Sequence, residues 1–231
     1  MNVVEHADLG KMNSLALPCV AKRLISLQSV DDFLQAYSEF ELSPENSLIL
    51  GGGSNFVLPA RLERTVLHYV GKAVCYEQSG VDDYIVDAEA GVIWDDLVQE
   101  CVERGLHGIE NLSLIPGTVG AAPVQNIGAY GVELTDVLES VTAFNCTTKQ
   151  IETLSRMECK FAYRDSLFKR HAGQFFILSV RLRLSTHRQF TLTYGELKSL
   201  NDIEGLTVEQ VRRQVVKVRQ AKLPDPDVLP N

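Results

Sequence analysis

The 231-residue chain lacks any run of about eighteen apolar residues, and Met1 to Gly10 carries acidic groups where a secretory leader would need an apolar stretch. Neither membrane spanning nor secretion is expected, and a cytoplasmic location is. The five cysteines, Cys19, Cys75, Cys101, Cys146 and Cys159, include no Cys-x-x-Cys pair and no adjoining histidine at metal-ligand spacing. Reduced thiols and no bound metal are the expectation. Basic residues are outnumbered, 22 against 30, for a formal net charge of −8 and a pI near 5.2. That balance argues against nucleic acid or an anionic membrane as a partner. His68, His107 and His171 stand isolated and are assigned no role.

No internal repeat or low-complexity segment is present, while 45% apolar and 23% charged residues are ordinary for a soluble globular protein with a sizeable core. Ser29 opens an expected helix with Val30, Phe33, Leu34 and Tyr37 at helical spacing and Asp32 in a capping-box position. Ser47 to Leu50 is a short apolar run entering three glycines, and Phe56-Val57-Leu58 resumes one, which predicts strand, glycine loop, strand. Tyr84-Ile85-Val86 reads as a strand. Trp94, Leu97, Val98 and Cys101 form a helical stripe that Gly105 terminates. From Gln174 to Leu184, Phe176, Leu178, Val180, Leu182 and Leu184 alternate with Ser179, Arg181 and Arg183, the period of a strand with one buried face. Thr207 and Gln210 make a capping box for a last helix with Val208, Val211, Val215 and Val218 as its stripe, and Pro224 ends it. A mixed α+β protein follows.

Between Ile115 and Gly131, four glycines, three alanines and two prolines fall in seventeen positions. Small residues at that density leave bare peptide N–H groups, with Pro116 and Pro123 fixing the backbone that presents them. A flat cofactor is the functional reading, and a glycine-rich hairpin pair the structural one, although Pro116, Pro123, Gln125 and Asn126 are awkward in regular strands. Gly51, Gly52 and Gly53 are either a tight turn or a nest of N–H groups for a diphosphate, with Ser54 and Asn55 adding side-chain donors. The dinucleotide pattern Gly-x-Gly-x-x-Gly and the P-loop lysine are both missing there.

Together with Tyr163-Arg164-Asp165-Ser166-Leu167-Phe168-Lys169, these segments, in their order and approximate spacing, resemble the UDP-N-acetylenolpyruvoylglucosamine reductases, the MurB-type flavoenzymes of peptidoglycan synthesis. The resemblance runs from about Asn13 to Asn231 and covers the N-terminal two thirds of that family. It implies an α+β fold of two FAD-binding subdomains of the vanillyl-alcohol-oxidase-like kind, residues 1–70 and 71–222, with 223–231 the stub of a third, substrate-binding domain. Beyond Lys222-Leu223-Pro224-Asp225-Pro226 the family continues to a proton-donating serine and a late catalytic glutamate. With Asn231 the last residue, neither is expected here.

The same resemblance implies the site residues. FAD would be held by Gly51, Gly52, Gly53, Ser54, Asn55, Ile115, Pro116, Gly117, Gly120, Ala121, Ala122, Gln125, Asn126 and Gly128, with the amides of Gln125 and Asn126 offered to the flavin ring edge. Arg164 matches the catalytic arginine that stabilises the enolate formed when hydride passes from NADPH through the flavin to the enolpyruvyl group. From the residues alone Arg164 reads first as a surface arginine paired with Asp165, and the resemblance reverses that order. Tyr163, Tyr194, Arg219 and Lys222 match residues that meet the nucleotide sugar, though Arg219 and Lys222 also suit a helix C-terminus. The implied function is reduction of UDP-N-acetylglucosamine enolpyruvate to UDP-N-acetylmuramate, with little activity expected of residues 1–231 alone. The alternatives are a non-catalytic FAD-binding remnant or half of a split enzyme with a complementing C-terminal chain, and a flavin oxidase. Against the oxidase, the two glycine loops hold no histidine or cysteine to tether a flavin.

Overall fold

A computed structural model describes residues 1–187 and 189–223. A first sheet is built from β1 (Asn2–Asp8), β2 (Val20–Leu27), β3 (Ser47–Ile49) and β4 (Arg61–Tyr69), in the order β1-β2-β4-β3. β1 and β2 are antiparallel, whereas β2 and β3 each run parallel to β4. Parallel pairing needs a crossover, and α1 (Val30–Glu39) supplies it between β2 and β3. A second sheet contains β5 (Val74–Gln78), β6 (Asp83–Glu89), β9 (Leu138–Asn145), β10 (Gln150–Ser155) and β11 (Phe175–Ser185), all antiparallel in the order β10-β9-β11-β6-β5. Between β6 and β9 lie α2 (Trp94–Glu103) and a two-stranded ribbon of β7 (Gly128–Ala129) and β8 (Val132–Glu133). The short α3 (Leu167–Arg170) precedes β11, and α4 (Val208–Lys222) closes the described chain.

The two sheets share one core. Phe33 of α1 stacks on Phe176 of β11 at 4.2 Å between ring centroids and meets Phe144 of β9 edge-on at 5.0 Å. Ile25 and Leu27 from the first sheet and Val86, Val141 and Val180 from the second complete that cluster. Alternation along β11 is as the sequence reads: Phe176, Leu178, Val180, Leu182 and Leu184 are buried while Arg181 and Arg183 face solvent. Those arginines pair across the sheet with Asp87 and Glu139. The α2 stripe is buried, and Gly105 at φ +69 ends the helix. The reciprocal capping box of Thr207 and Gln210 begins α4, in which Val208, Val211, Val215 and Val218 are buried. Among the described residues no helix is long and apolar enough to cross a membrane.

Three expectations are corrected. Phe56-Val57-Leu58 forms no strand: Pro59 has no N–H for a ladder, the Ala60 carbonyl accepts from Val20, and only Leu58 is buried. Ser29 accepts the Asp32 N–H, but the Asp32 carboxylate does not return to Ser29; it accepts the Gln28 N–H and pairs with the N-terminal ammonium. Leu34 is exposed, so the α1 face rests on Phe33 and Ala36. Pro224, Asp225 and Pro226, and the stub that contains them, lie outside the described residues.

Candidate functional site

The carboxyl end of β3 delivers Gly51 to Asn55 against residues 115–127, and the two glycine-rich stretches fit backbone to backbone. A Cβ on Gly51 would lie 2.9 Å from Thr118 Oγ1, and one on Gly52 would lie 2.9 Å from the Gly117 Cα. Gly53, at φ +66, leaves only 1.9 Å between a Cβ and the Met12 carbonyl oxygen. Part of the glycine density is therefore spent on chain against chain. Gly120 packs likewise on Ala90, where an added Cβ would lie 2.6 Å from the Ala90 Cβ, while its N–H donates to the Ala90 carbonyl.

Beside this junction lies a cavity of about 540 Å³, within the range of small-molecule sites. Its wall includes Gly51, Ser54, Asn55, Ile115, Pro116, Gly120, Ala121, Ala122, Gln125 and Arg164, all singled out from the sequence. Residues that sequence reasoning missed complete it: Arg64 and Tyr69 from β4, Thr118, Phe168 of α3, and Phe175 to Ile177 of β11. The Tyr69 hydroxyl donates to Glu89, and burial followed by the Glu89 charge pushes its pKa up, so it stays protonated. The five amides from Gly51 to Asn55 donate to no acceptor among the described residues. Of these, Gly51, Ser54 and Asn55 line the cavity, and free N–H groups there are a ready anion cradle.

Arg164 sits at φ +52, and its Nη2 donates to the Gly128 carbonyl at 2.9 Å. The expected surface partner, Asp165, instead pairs with Arg170, so among the described residues Arg164 enters no ion pair. Lys169 Nζ, donating to the Arg164 carbonyl at 2.8 Å, helps hold that backbone.

Other sequence candidates lie away from the cavity wall. The Asn126 amide is fully used inside the protein: Nδ2 donates to Glu133 and to the Ala162 carbonyl, and Oδ1 accepts from Thr135. The side chain is 1% exposed and braces the turn into β7 and β8. Gly52, Gly53 and Gly117 serve the loop junction, and Gly128 the Arg164 contact. Tyr163 and Tyr194 are 82% and 61% exposed, the latter edge-on to Tyr130. Lys222 pairs with Glu196. Arg219 is turned inward, donating to the Leu114 carbonyl at 3.1 Å, with its buried Nε unpartnered. Burial pushes its pKa below the ordinary arginine value.

The two sheets and the cavity at their glycine junction belong to the FAD-binding class of domains. The family described as "FAD binding domain" matches residues 21–154. Within that class, the chain is 41% identical to the UDP-N-acetylenolpyruvoylglucosamine reductase of Pseudomonas aeruginosa, over 100% of its own length and 69% of that protein's. It is 44% identical to that of Alcanivorax borkumensis, over 99% and 67%. The chain belongs to the UDP-N-acetylenolpyruvoylglucosamine reductase family. Its fold matches the Thermus caldophilus reductase with a TM-score of 0.70 at 22% identity, covering 97% of this chain and 71% of that one. A solvent-stable cholesterol oxidase matches at 0.59 and 15% identity, covering 80% and 38%.

Proposed function

We propose that the cavity holds FAD, with its diphosphate on the Gly51–Asn55 amides and its ring against Ile115 to Gln125, and that this site serves NADPH-dependent reduction of UDP-N-acetylglucosamine enolpyruvate to UDP-N-acetylmuramate in peptidoglycan synthesis. The observation that carries the reading is the free amides of Gly51, Ser54 and Asn55 on the cavity wall. Bound FAD supplies hydride chemistry between nicotinamide and the enolpyruvyl double bond. The chain's own part is to bind and orient. Gly120, Ala121 and Ala122 let a flat ring lie against backbone, and the Gln125 side chain offers an amide to its edge. Arg164, a permanent cation held by Gly128, stabilises negative charge that develops on the substrate. Tyr163, Tyr194 and Lys222 offer a face to the nucleotide sugar, with Arg219 behind it. A boundary near Gly71 between subdomains 1–70 and 71–222, the stub at 223–231 following, is supported by the sheets, since β4 of the first ends at Tyr69 and β5 of the second begins at Val74. A sugar-nucleotide substrate and free thiols fit a cytoplasmic setting.

Among the described residues the cavity wall carries no carboxyl, imidazole or thiol group. Proton delivery to the substrate is therefore the step expected to be slow, by roughly the 10²–10⁴-fold that general acid catalysis contributes. The same composition favours a second reading, an FAD-binding module completed by a separate chain. Visible spectra of the chain reconstituted with FAD, recorded anaerobically with NADPH and then with the enolpyruvyl nucleotide, test both. A flavin spectrum bleached by NADPH and slowly restored by the nucleotide supports reduction. Bleaching without restoration, cured by a complementing C-terminal chain, supports the module. Failure to take up FAD refutes both.

A further inference from the structure

The chain enters the cavity wall through Leu114, a non-glycine residue at φ +56. In that left-handed region an L-residue's Cβ crowds the next carbonyl, so something must hold it there. Two charged side chains do. Asp95 Oδ1, in the first turn of α2, accepts the Leu114 N–H at 2.6 Å, and Arg219 of α4 donates to the Leu114 carbonyl at 3.1 Å. Asp95 is in turn gripped by both nitrogens of the Arg212 fork, at 2.7 and 3.0 Å. Trp94 fixes the flanks: its indole N–H donates to the Leu112 carbonyl at 3.0 Å and its backbone N–H to the Gly117 carbonyl at 3.1 Å. Ile115 and Pro116, both in the cavity wall, are thus suspended between pinned neighbours.

We propose that Asp95, locked by Arg212, is a positioning residue for the cofactor: it holds the Leu114 peptide left-handed and so sets the path of Ile115 and Pro116 along the flavin. This rests on the FAD reading of the cavity. An acidic residue in a first helical turn can also serve only the helix dipole. A dipole role predicts no dependence on residue 114.

The test titrates FAD into the chain and its variants, following flavin fluorescence. Asp95→Asn keeps one acceptor oxygen but turns a donor on the Arg212 fork, and weakens FAD binding by roughly tenfold. Leu114→Gly, which takes φ > 0 without penalty, restores the affinity of Asp95→Asn to within about threefold of the parent chain. Leu114→Val, β-branched and resistant to that backbone region, weakens FAD with Asp95 intact. Unchanged affinity in Asp95→Asn overturns the proposal, as does failure of Leu114→Gly to rescue while the double variant melts like Leu114→Gly alone. Should Asp95→Asn not fold, parent-like affinity in a folded Leu114→Val overturns it. A parent chain that binds no FAD overturns the cofactor reading as well, whereas FAD binding that ignores Asp95 and Leu114 overturns this proposal alone.

Discussion

Gly120→Ala asks whether the glycine density serves contact between chain segments as well as contact with a cofactor. Gly120 does not lie in the left-handed region, so alanine meets no backbone penalty there and any effect comes from contact. The added methyl would sit 2.6 Å from Ala90 Cβ and 3.1 Å from Ala90 Cα, well inside van der Waals distance. Ala90 is 5% exposed and its carbonyl accepts the Gly120 N–H at 2.9 Å, so relief would stretch that bond. Overpacking of this kind destabilises by ~1–3 kcal/mol. For a chain of this size that lowers the melting midpoint by ~2–12 °C, read by circular dichroism without added flavin. Ala90→Gly alone removes a buried methyl, worth ~0.8 kcal/mol. The double variant should recover much of the loss, leaving a coupling of at least ~1 kcal/mol, incomplete because Ala90 Cα remains close. An unchanged midpoint in Gly120→Ala, or strict additivity in the double variant, would refute the contact.

Arg164→Gln should leave the melting midpoint nearly unchanged, since the group is exposed and bonded only to Gly128, yet slow flavin reoxidation by the enolpyruvyl nucleotide by ~10²–10³-fold; equal rates would remove Arg164 from the chemistry. The Asp95 carboxyl is raised by burial, but its hydrogen bonds from Arg212 and Leu114 outweigh this and hold its pKa below 3.8. The unfolded chain then binds the proton first, so this stability is present above about pH 4 and lost as pH falls through the folded value. In urea melts, the gap between the parent chain and Asp95→Asn should narrow below about pH 4, and a constant gap would contradict the pairing. Burial pushes the Cys101 and Cys159 thiols to about 12 and raises those of Cys19 and Cys146. A bulky disulfide reagent at neutral pH should therefore modify exposed Cys75 first and all five cysteines only on unfolding; rapid labelling of Cys101 would show the α2 stripe is not packed as described.

Elements with a strong period were legible in the chain. The alternation of β11, the α2 stripe and the α4 capping box depend on neighbours in sequence, and each appears where its residues place it. Phe56 to Leu58 misled because an apolar triplet carries no period, and Pro59 was the residue that decided against a strand. Asp32 misled because its rival partners, the Gln28 amide and the N-terminal ammonium, are set by tertiary position. At the site, the composition of 51–55 and 115–131 pointed to a flat cofactor, and residues of both segments line the cavity. It could not show that Gly52 and Gly117 face each other, nor that Asn126 is bound up with Glu133, Ala162 and Thr135. Asp95 and Leu114 carried no signal at all: an acid in a first helical turn and a leucine before Ile-Pro-Gly are commonplace, and only the left-handed backbone gives them meaning.

The likeness to both a reductase and a cholesterol oxidase shows how little the sheets say about chemistry. The distinction has to come from side chains around the cavity. Taking hydride from an alcohol calls for a base to receive the hydroxyl proton, and among the described residues the wall supplies no carboxylate or imidazole. Adding hydride to an enolpyruvyl group calls for a fixed positive charge, and the wall supplies Arg164, which enters no ion pair among the described residues, and Arg64, whose charge also acts on Glu45. In a chain of net charge −8, two guanidinium groups in one cavity concentrate positive potential where an anionic cofactor and substrate would meet. That placement suits the anionic cofactor and substrate proposed above, whereas the missing acid–base group bears equally on reduction, which needs a proton donor, and on oxidation, which needs a base.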